Sequence, residues 1–212
     1  SVPVLEREWA VRAGIGWRGR QGQLITPHGG ACVVLGALMV DAVLAPSQPL
    51  ADGCGGCHAC RDACPTGALQ PDGTVDARRC LSYLTIEHRK SIPEAFRAAL
   101  GGSVFGCDRC TAVCPWNARA EAPVLPELEP RPLPDTAGWF DVTPADFDAR
   151  YRDTAFHRTG LERIQRNAAI ALGNSRDPTH RPLLEHVAAT HPSAMVREHA
   201  TWALQRLSAG SA

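Results

Sequence analysis

Seven cysteines in two spaced runs, with an eighth between them, constrain this chain more than any other feature. The first run is Cys54-x2-Cys57-x2-Cys60-x3-Cys64-Pro65 and the second is Cys107-x2-Cys110-x3-Cys114-Pro115. The first has the spacing by which bacterial two-cluster ferredoxins hold iron–sulfur clusters, with the fourth Cys ligating the other cluster. The second lacks its opening position, where Val104 stands. Cys80 is the one other cysteine between the runs and brings the set to eight. One [4Fe–4S] cluster is then expected on Cys54, Cys57, Cys60 and Cys114, and a second on Cys64, Cys80, Cys107 and Cys110. Each run ends in proline, which lacks an amide N–H and has a fixed φ, and so suits a chain that folds back.

Other uses of these thiols fit less well. Four-cysteine zinc sites use paired CxxC knuckles, whereas here three cysteines at spacing three precede a fourth. Disulfides need an oxidising compartment, and the start Ser1-Val2-Pro3-Val4-Leu5-Glu6-Arg7 has no basic stretch followed by an apolar one. A cytoplasmic location is expected. Cys32, the ninth cysteine, sits in the apolar run Ala31-Cys32-Val33-Val34-Leu35 and is expected to be a small buried hydrophobe.

A chain of 212 residues holds one or two domains, and 44% hydrophobic with 21% charged residues is the balance of a globular protein. The net charge of zero gives no global field towards nucleic acid or membrane. The longest apolar run, Ala31 to Val40, is too short to span a bilayer and is broken by Gly36.

Four segments are expected: residues 1–50, 51–122, 123–160 and 161–208. In the first, 4–12 reads as a helix ended by Gly14, followed by the glycine-rich loop 14–22, a short strand at 23–26, and a buried strand or short helix over 31–40. The glycine loop follows a helix and precedes a strand, the wrong order for a dinucleotide fingerprint. The second segment carries the cysteines, with helices expected over 76–87 and 92–100. Pro93 suits the start of the latter and Gly101-Gly102 its end. The third is a proline-rich connector, with prolines at 123, 126, 130, 132, 134 and 144, before a short helix with Thr143 at its N-cap. In the fourth, 166–172 recurs as 198–204 at an offset of 32 residues, which suggests stacked helices of the HEAT kind. Between His157 and Leu207 seven Arg face four acids, a local excess of +3. A solvated helix face accounts for this as well as RNA does.

The chain resembles the C-terminal portion of the epoxyqueuosine reductases. The resemblance rests on Pro3-Val4-Leu5-Glu6-Arg7, Arg12-Ala13-Gly14-Ile15-Gly16-Trp17, Ala63-Cys64-Pro65-Thr66-Gly67-Ala68 and the block from Asp76 to Glu87 containing Cys80-Leu81-Ser82-Tyr83-Leu84-Thr85. It continues in Phe105-Gly106-Cys107-Asp108-Arg109-Cys110, Val113-Cys114-Pro115-Trp116-Asn117 and the block from Gln165 to Asn174. It implies an α+β chain: a remnant of a corrinoid-binding domain, a ferredoxin-like two-cluster domain and a C-terminal HEAT-like helical repeat. It further implies a cobalamin-dependent iron–sulfur oxidoreductase. Such an enzyme reduces epoxyqueuosine to queuosine at the wobble position of a tRNA, with electrons entering through the two clusters from a reduced donor.

By the same resemblance, Leu24, Ser82 and Asp108 contact cobalamin, and the helical tail docks the tRNA, with Arg166 as its expected phosphate contact. The family's catalytic acid is an Asp that would stand just before Ser1, so the resemblance places no catalytic residue within the chain; Glu6, the nearest carboxylate, reads as solvated. The chain is expected to act as a monomer away from membranes. Two other classes share the cysteine pattern: a corrinoid reductive dehalogenase-like enzyme, and a dicluster electron-transfer protein without catalysis of its own.

Overall fold

The computed structural model describes residues 5–120 and 132–209. They are mostly helical, with one two-stranded sheet, and divide into two compact units. The first comprises residues 1–76 and 108–129, the second residues 77–107 and 130–212. Residues 77–107 therefore group with the helical tail, not with the rest of the cysteine segment. Prolines 123, 126 and 130 of the expected connector lie outside the described residues.

The first unit opens with α1 (Glu6–Arg12), shorter than expected, with Glu6 and Glu8 in its first turn and Arg12 in its last, as the helix dipole favours. Gly14, at φ +68°, turns the chain out of it. Strands β1 (Trp17–Arg18) and β2 (Leu24–Ile25) pair antiparallel, Trp17 opposite Ile25 and Arg18 opposite Leu24. The hairpin turn is held by Gly19 N–H donating to the Gln23 carbonyl and Gly22 N–H to the Gly19 carbonyl. The short helices α2 (Ala59–Asp62) and α5 (Arg109–Ala112) pack together, each within one cysteine run. A 3-10 turn, Pro115–Arg119, follows the last cysteine.

The run expected as a buried strand or helix departs from that reading. Residues 32–40 form neither, and Val34, Leu38 and Met39 are more than four-fifths exposed. Cys32 is likewise exposed, which corrects its reading as a core residue. At its start the segment is tied down where Ala31 N–H donates to Asn117 Oδ1. An apolar run makes a core strand only where a facing layer covers it.

In the second unit, α3 (Leu81–Ile86), α4 (Glu94–Leu100) and the loop between them present Leu81, Leu84, Leu100 and Ile92 to Ile170, which draws residues 77–107 onto the tail. The expected helix over 76–87 forms only from Leu81. Thr143 caps α6 (Pro144–Tyr151) as its sequence predicts, its Oγ1 accepting from Asp146 N–H at 3.1 Å. Helix α7 (Ala155–Thr159) leads through Gly160 into α8 (Leu161–Ser175). Next come α9 (Arg181–Thr190) and α10 (Ala194–Ser208), and α10 packs on both. A Cβ on Gly173 would lie 2.7 Å from the Ala203 backbone, so glycine sets the close approach of α8 and α10.

The two copies of the sequence repeat lie on α8 and α10. Equivalent positions in them are buried alike: Ala168 with Ala200, Ala171 with Ala203, and the polar pair Asn167 with His199. Both members of that pair bond backbone of residues 77–107. Asn167 donates to the carbonyls of Thr85 and Val104, and His199 accepts from Ile92 N–H. Buried polar groups at matched positions thus clamp the same stretch of chain.

Candidate iron–sulfur site

Four thiols of the first unit converge on one cavity of about 280 Å³. Cys54, Cys57, Cys60 and Cys114 line it together with Arg20, Gln21, Ile25 and Trp116. This is the set that the spacing assigns to one cluster. Local backbone explains the convergence. Cys54 N–H is held by Asp52 Oδ1 at 2.8 Å, and Cys57 N–H donates back to the Cys54 carbonyl at 3.0 Å, a tight turn in which Gly55 takes φ +50°. Cys60 then lies on α2. Cys114 is extended just ahead of Pro115, its N–H bonded to the Thr111 carbonyl.

Aromatic packing closes one side. Trp17 meets Trp116 edge-on with ring centroids 4.7 Å apart, and Trp116 Nε1 donates to the Gly53 carbonyl at 3.2 Å. Gly53 has no room for a side chain, because a Cβ there would lie 2.5 Å from the Trp17 ring. Burial pushes the Cys60 thiol up, and the neighbouring Cys54 and Cys57 add to the shift, as expected of thiolates held close together.

The donor set fits a cluster better than a lone ion. A tetrahedral zinc would draw four thiolates to about 2.3 Å from one point. Among the described residues, no three Cys, His, Asp or Glu are grouped tightly enough to hold a single metal ion. Four thiols spread around a common space suit a larger group that each touches at its own corner. Two buried donors at this cavity, Gln21 Nε2 and Arg20 Nε, have no hydrogen-bond partner among the described residues. Sequence reasoning singled out neither; the signal was their place at the tip of a glycine-rich hairpin.

The other four cysteines are shared out between the units. Cys64 and Cys110 belong to the first, Cys80 and Cys107 to the second. Burial alone would raise the Cys64 thiol. Hydrogen bonds from the Thr66 hydroxyl and from backbone amides outweigh it and lower the pKa, Ala68 N–H reaching Cys64 Sγ at 3.3 Å. Cys80 occupies the N-cap of α3, and Cys107 packs on the core formed by Leu81, Leu84 and Leu100.

The residues expected at cobalamin fare differently. Leu24 is 2% exposed and pairs through β2 with β1, so its side chain is committed to the core and does not fit a cofactor contact. Ser82 is half-buried on α3, and Asp108 is exposed at the N-cap of α5. Glu6 is exposed on α1, in keeping with a solvated carboxylate.

Arg166 requires a correction. It was expected to meet phosphate, but it is fully buried. Its Nε and Nη2 bond Asn167 Oδ1, its Nη1 donates to the carbonyls of His88 and Lys90, and Nη2 also reaches the Leu84 carbonyl at 2.8 Å. All five N–H groups of the guanidinium are thereby used. Burial lowers its pKa to about 10, and the nearby Arg163 charge acts in the same sense. Arg163 donates to the carbonyls of Ile86 and Glu87. Cations of α8 thus satisfy the orphan carbonyls at the end of α3.

The cysteine segment and the chain as a whole are similar to known proteins. Residues 53–117 match the family model of the 4Fe-4S double cluster binding domain. The chain is 43% identical over 214 residues to the epoxyqueuosine reductase of Alicycliphilus denitrificans, covering 96% of this chain and 59% of that protein. It is 41% identical over 208 residues to that of Escherichia coli, covering 96% and 54%. Among solved structures, epoxyqueuosine reductase from Bacillus subtilis superposes with a TM-score of 0.89 at 34% identity, over 95% of this chain and 55% of that one. An epoxyqueuosine reductase crystallised with a tRNA-Tyr epoxyqueuosine-modified stem loop matches equally well, with a TM-score of 0.89. The chain spans little more than half the length of these relatives. Across nearly all of its own residues the chain is similar to part of the epoxyqueuosine reductases, and its residues 53–117 match the double-cluster domain model.

Proposed function

We propose that this chain is the electron-transferring and RNA-docking part of an epoxyqueuosine reductase. The observation that carries the proposal is the convergence of Cys54, Cys57, Cys60 and Cys114 on one cavity, in a chain about 40% identical to curated reductases of that name. Bound clusters supply one-electron transfers. The protein positions and insulates them: Trp17, Ile25 and Trp116 keep water from the first, and Thr66 with the amide of Ala68 supports the Cys64 sulfur. The second cluster is assigned to Cys64, Cys80, Cys107 and Cys110 on their spacing.

Cobalamin enters as the group that the resemblance implies. With Leu24 committed to the core, Ser82 and Asp108 are the residues left to meet it.

The partner is a tRNA carrying epoxyqueuosine at its wobble position, held by the second unit, whose α8–α10 helices form a HEAT-like pair of repeats. With Arg166 buried, Arg89 and Lys90 are among the cations open to phosphate, exposed on the loop whose carbonyls Arg166 and Arg163 hold. The ring of Tyr83 lies 6.4 Å from that of His88 beside them, an aromatic surface of the kind bases stack on. Anaerobic reconstitution tests the reading: iron and acid-labile sulfide are counted, and binding of an anticodon stem loop is titrated against salt. Zinc in place of iron, or no RNA binding at any salt concentration, would remove it.

A further inference from the structure

The glycine-rich hairpin between β1 and β2 has no function so far, yet its tip carries the two unpartnered donors at the thiol cavity. Gln21 is 4% exposed and its Nε2 finds no acceptor. A buried amide donor left unpaired is costly, so such groups in native proteins have partners or a reason to lack them. A Cβ on Gly19 would lie 2.2 Å from Gln21 Oε1, so glycine at 19 makes the space into which the amide tucks. Gly22, at φ +81°, closes the turn. Next to it, Arg20 Nη2 donates to the Gly55 carbonyl at 2.6 Å, tying the hairpin tip to the Cys54–Cys57 turn, while Arg20 Nε stays unpaired. The cavity these donors face is lined by four thiols, whose ligated form would be sulfur-rich and negatively charged.

We propose that Gln21 Nε2 is a hydrogen-bond donor to sulfur of the cluster held by Cys54, Cys57, Cys60 and Cys114, raising that cluster's reduction potential, with Arg20 as a second donor. The inference rests on the cluster reading above and concerns only this chain's own residues. Hydrogen bonds to cluster sulfur are a main control of potential, because they stabilise the more negative, reduced state. Two donors on one hairpin bear on this one cavity.

The test is a redox titration of the anaerobically reconstituted chain, followed by electron paramagnetic resonance. Gln21→Leu keeps a side chain of similar size and removes the donor. The expected result is unchanged iron and sulfide content, a potential shifted to more negative values for one cluster, and no shift for the other. Gln21→Glu, which replaces a donor with an acceptor, should shift the same cluster further. A readout without substitution is pulsed resonance on chain labelled with ¹⁵N in the glutamine amides, where the reduced cluster should couple to one amide nitrogen. Full clusters with unshifted potentials in Gln21→Leu would overturn the inference and leave the cluster reading standing. If Gln21→Leu loses iron, the labelled chain decides: coupling supports the inference and its absence overturns it. An unaltered chain that takes up no cluster would overturn both.

Discussion

Arg166 Nη2 donates to the carbonyl of Leu84 at 2.8 Å, joining α8 to the last turn of α3. The same guanidinium holds the carbonyls of His88 and Lys90. A buried cation with no buried carboxylate beside it is tolerated because every N–H has an oxygen. Arg166→Met should therefore destabilise the chain by roughly 3 kcal/mol, since it strands several carbonyls at once. Urea unfolding checks this. A variant as stable as the parent would show that the carbonyls find water instead.

RNA binding should follow the loop and not the helix behind it. Exchanging Arg89 and Lys90 together for Ala should flatten the slope of log K against log salt by about 1.5 units, since each phosphate contact contributes roughly 0.7 to 0.9. Melting temperature should hardly change, because both side chains are exposed. Fluorescence anisotropy with a stem-loop RNA at several salt concentrations measures it. An unchanged slope would move the RNA contact to another face of the unit.

Iron content separates the cysteines by role. Reconstituted chain should carry about eight iron atoms, as two [4Fe–4S] clusters. Cys32→Ser should keep them all, because Cys32 is exposed and does not line the thiol cavity. Cys80→Ser should lose about half, since Val104 offers no thiolate where the second run lacks its first position. Iron and sulfide assays with absorption spectra distinguish the cases. Full iron in Cys80→Ser would mean that another group completes the second site.

Acid should weaken the second unit through His199. The ring is fully buried, its Nδ1 donating to the Met195 carbonyl at 2.7 Å and its Nε2 accepting from Ile92 N–H at 3.1 Å. Burial lowers its pKa to about 4. The Arg97 and Arg166 charges act in the same sense, and Glu198 against them. The unfolded chain, with an ordinary histidine pKa, binds a proton in a range where the folded chain does not. The stability this contributes is complete above about pH 6.5 and is lost as pH falls towards 4, amounting to about 3 kcal/mol. Urea midpoints at pH 7 and pH 4.5 should differ more in the parent than in His199→Gln, which has nothing to titrate there. Equal pH dependence in both would show that other groups account for the loss.

Much of this was legible in the residues alone. The spacing of Cys54, Cys57 and Cys60 marks them as a candidate set, because a short turn with fixed offsets can present its side chains in only a few ways; that Cys114 lines the same cavity is a matter of the fold. The Thr143–Pro144 start of α6 and the Pro93 start of α4 were equally readable, since caps depend on neighbouring residues. Positions whose role depends on distant chain were not. Arg166 in an alanine-rich helix looks like any exposed cation. That it is buried, with three of its five donors spent on the backbone carbonyls of Leu84, His88 and Lys90 and two on Asn167 Oδ1, depends on α3 packing against α8. Cys32 and its apolar neighbours looked like core, yet periodicity cannot say whether a covering layer is present. Gln21 looked like one more polar residue in a glycine-rich turn. Only the tertiary structure brings its unpaired amide to a cavity lined by four cysteines. Local offsets along the chain picked out the candidate thiols, and long-range packing decided which buried polar groups serve the fold and which face the cavity that four of those thiols line.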